Sequence, residues 1–188
     1  MLRLLVSCFF LAASVHTTFA QATPRVELGT FISQYAGSDY FEGINSRTQV
    51  GYYGGIGLTV PIGEQWLFDG TFHYANRTHP FKQFGLPTYT QHLLLGLQGG
   101  YRLTSDWQVR GGVRFNRVLD FWIAPHDIRL LQTGLTVGLA YTAGPIDFLV
   151  NYGHDVTGLF SETYLAASNQ NQYRLRSLQF GVSYRFEE

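Results

Sequence analysis

Cysteine is almost missing: the chain has one, Cys8, inside its first twenty residues. A small domain stapled by disulfides is therefore excluded, and stability has to come from another source. Lysine and methionine are equally scarce at one residue each, so common helix formers contribute little. Apart from Lys82 the basic residues are all arginine, and the 13 acids balance the 13 bases with no basic block anywhere. Nucleic-acid binding has no electrostatic footprint in such a chain. Beyond residue 20 no apolar run reaches the roughly 18 residues that a transmembrane helix needs. If the chain crosses a membrane, it does so with strands.

What is present instead is aromatic and glycine-rich: 15 Phe, 12 Tyr, 3 Trp and 21 Gly. That bias favours β structure with close internal packing. At the start, MLRLLVSCFFLAASVHTTFA carries an early cation, Arg3, then an apolar run from Leu4 to Ala13 and small residues at Thr18 and Ala20. This is the layout of a secretory signal peptide over residues 1–20, which leaves 21–188 as one domain. A lipoprotein reading of Leu5-Val6-Ser7-Cys8 fits less well, because no apolar segment is completed before the cysteine.

Period-two alternation punctuated by turn residues predicts eight strands. They run at about Arg25–Tyr35, Thr48–Val60, Trp66–Asn76, Tyr89–Arg102, Trp107–Asp120, Arg129–Thr142, Ile146–Gly153 and, after the longest loop from His154 to Gln172, a last strand that closes with Leu178–Phe186. In that last strand Leu178, Phe180, Val182, Tyr184 and Phe186 alternate with Gln179, Gly181, Ser183 and Arg185. Connections alternate long and short, which sorts the short turns to one end of the sheet. Beside those turns, on the apolar face, cluster Trp66, Tyr101, Trp107, Tyr141, Tyr184 and Phe186, the expected ring of amphipathic side chains at a membrane interface.

The opposite face mixes glycines with charge. Turned inward, the bulky aromatic face would overfill a closed eight-strand barrel; turned outward into hydrocarbon it meets no conflict. A closed barrel also satisfies every backbone group in lipid, with strands of about 9–11 residues. The expected fold class is therefore all-β, an eight-stranded antiparallel up-and-down transmembrane β-barrel. With its alternating strands, sorted turns and Val182-Tyr184-Phe186 ending, residues 21–188 resemble the small outer-membrane β-barrels of Gram-negative bacteria, such as the OmpA transmembrane domain, OmpX and PorT-like proteins. The resemblance implies a location in the cell outer membrane, contact with outer-membrane lipid and lipopolysaccharide, and recognition of the closing strand by the barrel-assembly machinery. Glu187-Glu188 departs from it, since such barrels usually stop on the terminal aromatic.

Expected inside the barrel is a lumen polar network of Glu27, Asp69, Arg102, Arg110, Arg114, Asp147 and Arg185, neutralising buried charge by pairing. A narrow gated channel lined by the same residues is the alternative. In the simplest register His73 and His92 face each other, a weak metal site with two placed ligands and no third. His73-Tyr74-Ala75-Asn76 resembles the His-x-Ser-Asn stretch of lipid A deacylase barrels, but alanine replaces the nucleophile. His154-Asp155, with Ser161 and Glu162, offers triad-type residues in the longest loop without a recognisable spacing. The expectation is thus a protein that is not an enzyme, with no catalytic residue and no cofactor; a lipid A or phospholipid modifying enzyme is the remoter alternative. Aromatic residues raised on polar loops, in SDYFEG, HPFKQFG and FWIAPHD, suit a protein partner. The role read from these features is structural, adhesive or in envelope assembly, for a monomer with no nucleic-acid partner.

Overall fold

The computed structural model describes residues 22–36, 48–79, 88–120, 131–157 and 174–186. The expected signal peptide, the loop aromatics of SDYFEG and FWIAPHD, Ser161, Glu162 and Glu187-Glu188 lie outside the described residues, as does HPFKQFG beyond its first residue. Eight strands follow one another: β1 (Thr23–Ala36), β2 (Gln49–Ile62), β3 (Trp66–His79), β4 (Thr88–Arg102), β5 (Trp107–Asp120), β6 (Leu131–Ala143), β7 (Ile146–Asp155) and β8 (Arg174–Arg185). Each pairs antiparallel with the next, and β8 returns to β1 from Arg25↔Arg185 to Ala36↔Arg174, closing the barrel. No strand edge is left among these elements, which is the condition for placing β structure in hydrocarbon.

At one end the connections are tight. Gly63, with φ 73°, turns β2 into β3, and Gly144, with φ 61°, turns β6 into β7 ahead of Pro145. A side chain at either position would be strained, since L-residues rarely take that backbone region. Thr104 accepts from the backbone N–H groups of Asp106 and Trp107, locking the β4–β5 turn.

Side-chain parity sorts the wall. Leu28 and Ile56 on the outside are 68% and 62% exposed, whereas Asp69 and Ser183 on the inside are fully buried. In water each such outward residue would forgo about 1.5–3 kcal/mol of burial. An apolar outer belt around a charged interior is the reverse of a water-soluble protein, and it fits a lipid surround.

Several boundaries differ from the sequence expectation. β7 continues to Asp155, so His154 and Asp155 belong to a strand rather than to the loop expected from His154 to Gln172, while β8 begins at Arg174, close to where that loop was expected to end. β3 and β4 extend to His79 and from Thr88, which moves their register two residues from the simplest one: His73 opposes Leu94, and His92 opposes Ala75. Polar inward residues near the loops interrupted the apolar signal that marks a strand, while ladder hydrogen bonds carried the strand onward.

Candidate functional site

The lumen is the densest collection of chemistry in the molecule. Toward the short turns, Asp69 of β3 is its pivot. Asp69 Oδ1 accepts from Arg25 Nη1 at 2.8 Å and from Thr59 Oγ1 at 2.5 Å, and Oδ2 lies 3.0 Å from Arg110 Nη1. Arg110 reaches on to Asp147 at 3.9 Å and donates to Gln108 at 3.0 Å. Asp147 in turn accepts from Thr142 and sits 3.5 Å from Arg185, whose guanidinium also donates to the Gly144 carbonyl. On the other side Arg25 stands 3.8 Å from Glu27.

Glu27 links this chain of charges to the middle of the barrel. Its carboxylate accepts from the Tyr53 hydroxyl at 3.1 Å and lies 3.5 Å from His73 Nε2, and the Tyr53 and His73 rings meet at 4.9 Å. Phe31, Tyr53, Ala75 and Leu94 form a buried apolar patch on the same wall, with the Arg77 guanidinium 4.8 Å over the Phe31 ring. Glycines make this filling possible. A Cβ on Gly51 would run into the Phe31 ring, and one on Gly138 into the Asn151 side chain.

Toward the long loops the polar groups come in separate sets. Arg114 donates to Asp155 at 2.8 Å and to Ser177 at 3.1 Å. His92 Nδ1 meets Asn116 Oδ1 at 2.9 Å and Nε2 meets Thr90 Oγ1 at 2.8 Å, while Asn116 Nδ2 donates to Gln132. With Asn116 presenting its oxygen, Nδ1–H donates to Asn116 and Nε2 accepts from Thr90 in the tautomer that satisfies both contacts, so each ring nitrogen has a hydrogen-bond partner.

Of the seven charged residues expected in the lumen network, Glu27, Asp69, Arg110 and Asp147 are brought together near the short turns with Arg185 at their edge, and Arg114 joins a separate pair. Arg102 is not brought in: it sits at the rim and donates to the Glu64 carbonyl at 3.1 Å. Lying at the last residue of β4, it has reached the turn before any inward partner is within range. His73 and His92 serve different partners on the shifted register. Ala75 is buried in the apolar patch and Asn76 points outward to donate to Tyr52, so the deacylase-like stretch assembles no reactive group. On the outer wall, Trp66 packs edge-on against Tyr101 at 4.9 Å, Trp107 against Tyr141 at 5.0 Å, and Tyr184 against Phe186 at 5.3 Å.

Sequence reasoning left Arg25 and Tyr53 out of the lumen network and placed Asp155 in a loop. Arg25 stands near the start of β1 and Asp155 ends β7, where alternation is weakest. Tyr53 had the right parity for the lumen, yet nothing in a single strand says that a phenol there will reach Glu27. At the centre of the lumen remains a cavity of about 30 Å³, bordered by Glu27, His73, Arg110, Arg114, Asn151 and Gln179. That is room for about one or two water molecules and for no larger solute.

No protein-family model matches the chain, and no curated protein sequence does. Among solved structures, the attachment invasion locus protein Ail of Yersinia pestis superposes with a TM-score of 0.54 at 12% identity, over 88% of this chain and 99% of that one. Ail in complex with the heparin analogue sucrose octasulfate gives 0.53 at 13% identity, with the same coverage. Neisserial surface protein A gives 0.47 at 15% identity over 88% and 99% of the two chains.

The fold is that of a small outer-membrane β-barrel. This barrel wraps its polar residues inward and its aromatic pairs outward.

Proposed function

We propose that the chain is a monomeric outer-membrane barrel with a structural, adhesive or envelope-assembly role, its lumen plugged rather than open. The observation that carries this reading is the chain of contacts from Glu27 through Arg25, Asp69 and Arg110 to Asp147, spanning β1, β3, β5 and β7. Alternate strands thus meet across the axis, and the cavity beside them holds water at most. A plugged barrel leaves the rim and the outer wall as the working surfaces. The long loops would take a protein partner, and the belt would sit in outer-membrane lipid with the aromatic pairs at one interface. Residues 1–20 would direct export and be removed, and the closing strand would be read by the assembly machinery.

Gel mobility of the outer-membrane fraction tests the architecture: the folded chain should migrate anomalously until boiled. Recovery in the periplasmic soluble fraction would end this reading. Planar-bilayer recordings test the plug. The purified barrel should give no steady conductance, and a conductance abolished by altering Arg110 or Arg114 would replace the plug with a narrow gated channel. Unchanged lipid A mass spectra on deletion are expected, since among the described residues the hydroxyl and imidazole that meet, Thr90 and His92, are buried inside the barrel and away from lipid.

A further inference from the structure

In the outer half of the barrel, on its inner face, three side chains stand in line. Thr90, the third residue of β4, meets His92 Nε2 at 2.8 Å through its hydroxyl, and His92 Nδ1 meets Asn116 Oδ1 of β5 at 2.9 Å. Asn116 is itself fixed, because its Nδ2 donates to Gln132 of β6 at 2.8 Å and so turns its oxygen toward the ring. The tautomer that satisfies both ring contacts leaves the Nε2 lone pair on the Thr90 hydroxyl proton. A hydroxyl, a base and a group that orients the base are the three roles of an activated nucleophile, recognised by geometry rather than by position in the chain.

Strand pairing breaks beside them. The β4–β5 ladder pairs Gln91 with Asp120 but His92 with Val118, which leaves Leu119 unpaired. Bulges of this kind re-aim side chains and are frequent next to active sites. Filling the lumen at this level does not call for polar groups, since Val118 opposite His92 and Leu94 opposite Asn116 are apolar and buried.

We propose that Thr90 is a nucleophile with His92 as its general base, in a site that hydrolyses small water-soluble esters entering from the long-loop end. This activity goes beyond the structural role above and leaves the plug toward the short turns in place. Thr90 Oγ1 bonds to the ester carbonyl carbon while Nε2 takes its proton; the ester C–O bond then breaks and the alcohol leaves with that proton. Water attacks the acyl-threonine, Nε2 takes a proton from it and returns one to Thr90, and the carboxylic acid is released. Asn116 is a positioning residue. Being neutral, it holds the tautomer without adding charge to stabilise the imidazolium, which suits esters with good leaving groups rather than amides. Thr90 and His92 are buried, which limits the acyl group to about the size of acetyl and keeps fatty acyl chains out.

The test uses the full barrel folded in phosphatidylcholine vesicles, with p-nitrophenyl acetate as probe. Release of p-nitrophenol is followed, and acetyl groups are mapped by peptide mass spectrometry after an acid quench. Acetyl on Thr90 is expected, and its absence, which needs no variant to observe, overturns the proposal. Thr90→Ser removes the methyl group beside the attacking oxygen and should be acetylated faster at that position. His92→Gln should slow acetylation of Thr90 roughly a hundredfold, the low end of what a positioned base contributes. Acetylation of Thr90 at an unchanged rate in His92→Gln would leave the hydroxyl without a base and overturns the site. Asn116→Leu should slow the step and Asn116→Asp should restore it, a rescue that a purely packing role would not give. Heat-dependent mobility shows that each variant is folded; should His92→Gln fail to fold, the map of the unaltered protein and the Thr90→Ser rate decide. Loss of the mobility shift in the unaltered protein would instead strike the barrel reading itself.

Discussion

Toward the short turns the lumen is filled by charges in series, Glu27, Arg25, Asp69, Arg110, Asp147 and Arg185, each sharing a partner with the next. Toward the long loops it is filled by parts that do not share: Arg114 with Asp155 and Ser177, His92 with Thr90 and Asn116, Arg77 over Phe31. The difference lies in how each half answers damage. In a series, removing a middle member strands the groups on both sides, so effects are large and non-additive. In separate sets each loss stays local.

Asp69→Asn should be the most damaging single change. It takes the shared carboxylate from Arg25 and Arg110 at once, and breaking a buried pair in this way costs about 3–5 kcal/mol. Urea unfolding of the barrel folded in lipid vesicles measures it. Adding Asp147→Asn should cost less than the separate effects together, because Arg110 is already half stranded. Simple additivity of these two changes would show that the charges do not act in series.

Asp155→Asn should come next. Arg114 keeps Ser177 and can still donate to the amide oxygen, so the loss is about 2 kcal/mol, the worth of one charge-assisted hydrogen bond. Combined with Asp69→Asn it should add within about 0.5 kcal/mol, since the two carboxylates share no partner. Departure from additivity here would merge the two halves into one network.

Tyr53→Phe probes the join between the halves. It removes the hydroxyl that donates to Glu27 and keeps the ring against His73 and Phe31. Glu27 retains Arg25 and His73 as neighbours, so the cost is about 1 kcal/mol in the same unfolding assay.

How much of this was legible follows from what alternation can carry. Parity along one strand separates Asp69 from Phe68 and Arg110 from Val109, so the inward charges and the closed all-β barrel could be read before any partner was known. Parity says nothing about which inward charge meets which. Arg25 and Asp69 are 44 residues apart and Arg114 and Asp155 are 41 apart, distances that only the closure of the barrel converts into contacts. Register was unreadable for a related reason. The polar ends of β3 and β4 gave no apolar cue, and a two-residue slip keeps every side chain on its own face. His73 and His92 therefore stayed inward while losing each other.

The outer wall offers the mildest test of the same contrast. Trp107 and Tyr141 touch only in the ring beside the short turns, outside both lumen sets. A double-mutant cycle of Trp107→Leu and Tyr141→Leu should give a coupling of about 0.5–1 kcal/mol, the tilted-ring term beyond simple area. Neither change should alter the coupling between Asp69 and Asp147, because the pleat turns these rings away from the lumen. A girdle substitution that did weaken the inner series would mean that strand geometry, rather than direct charge pairing, holds Arg25 and Arg110 on Asp69.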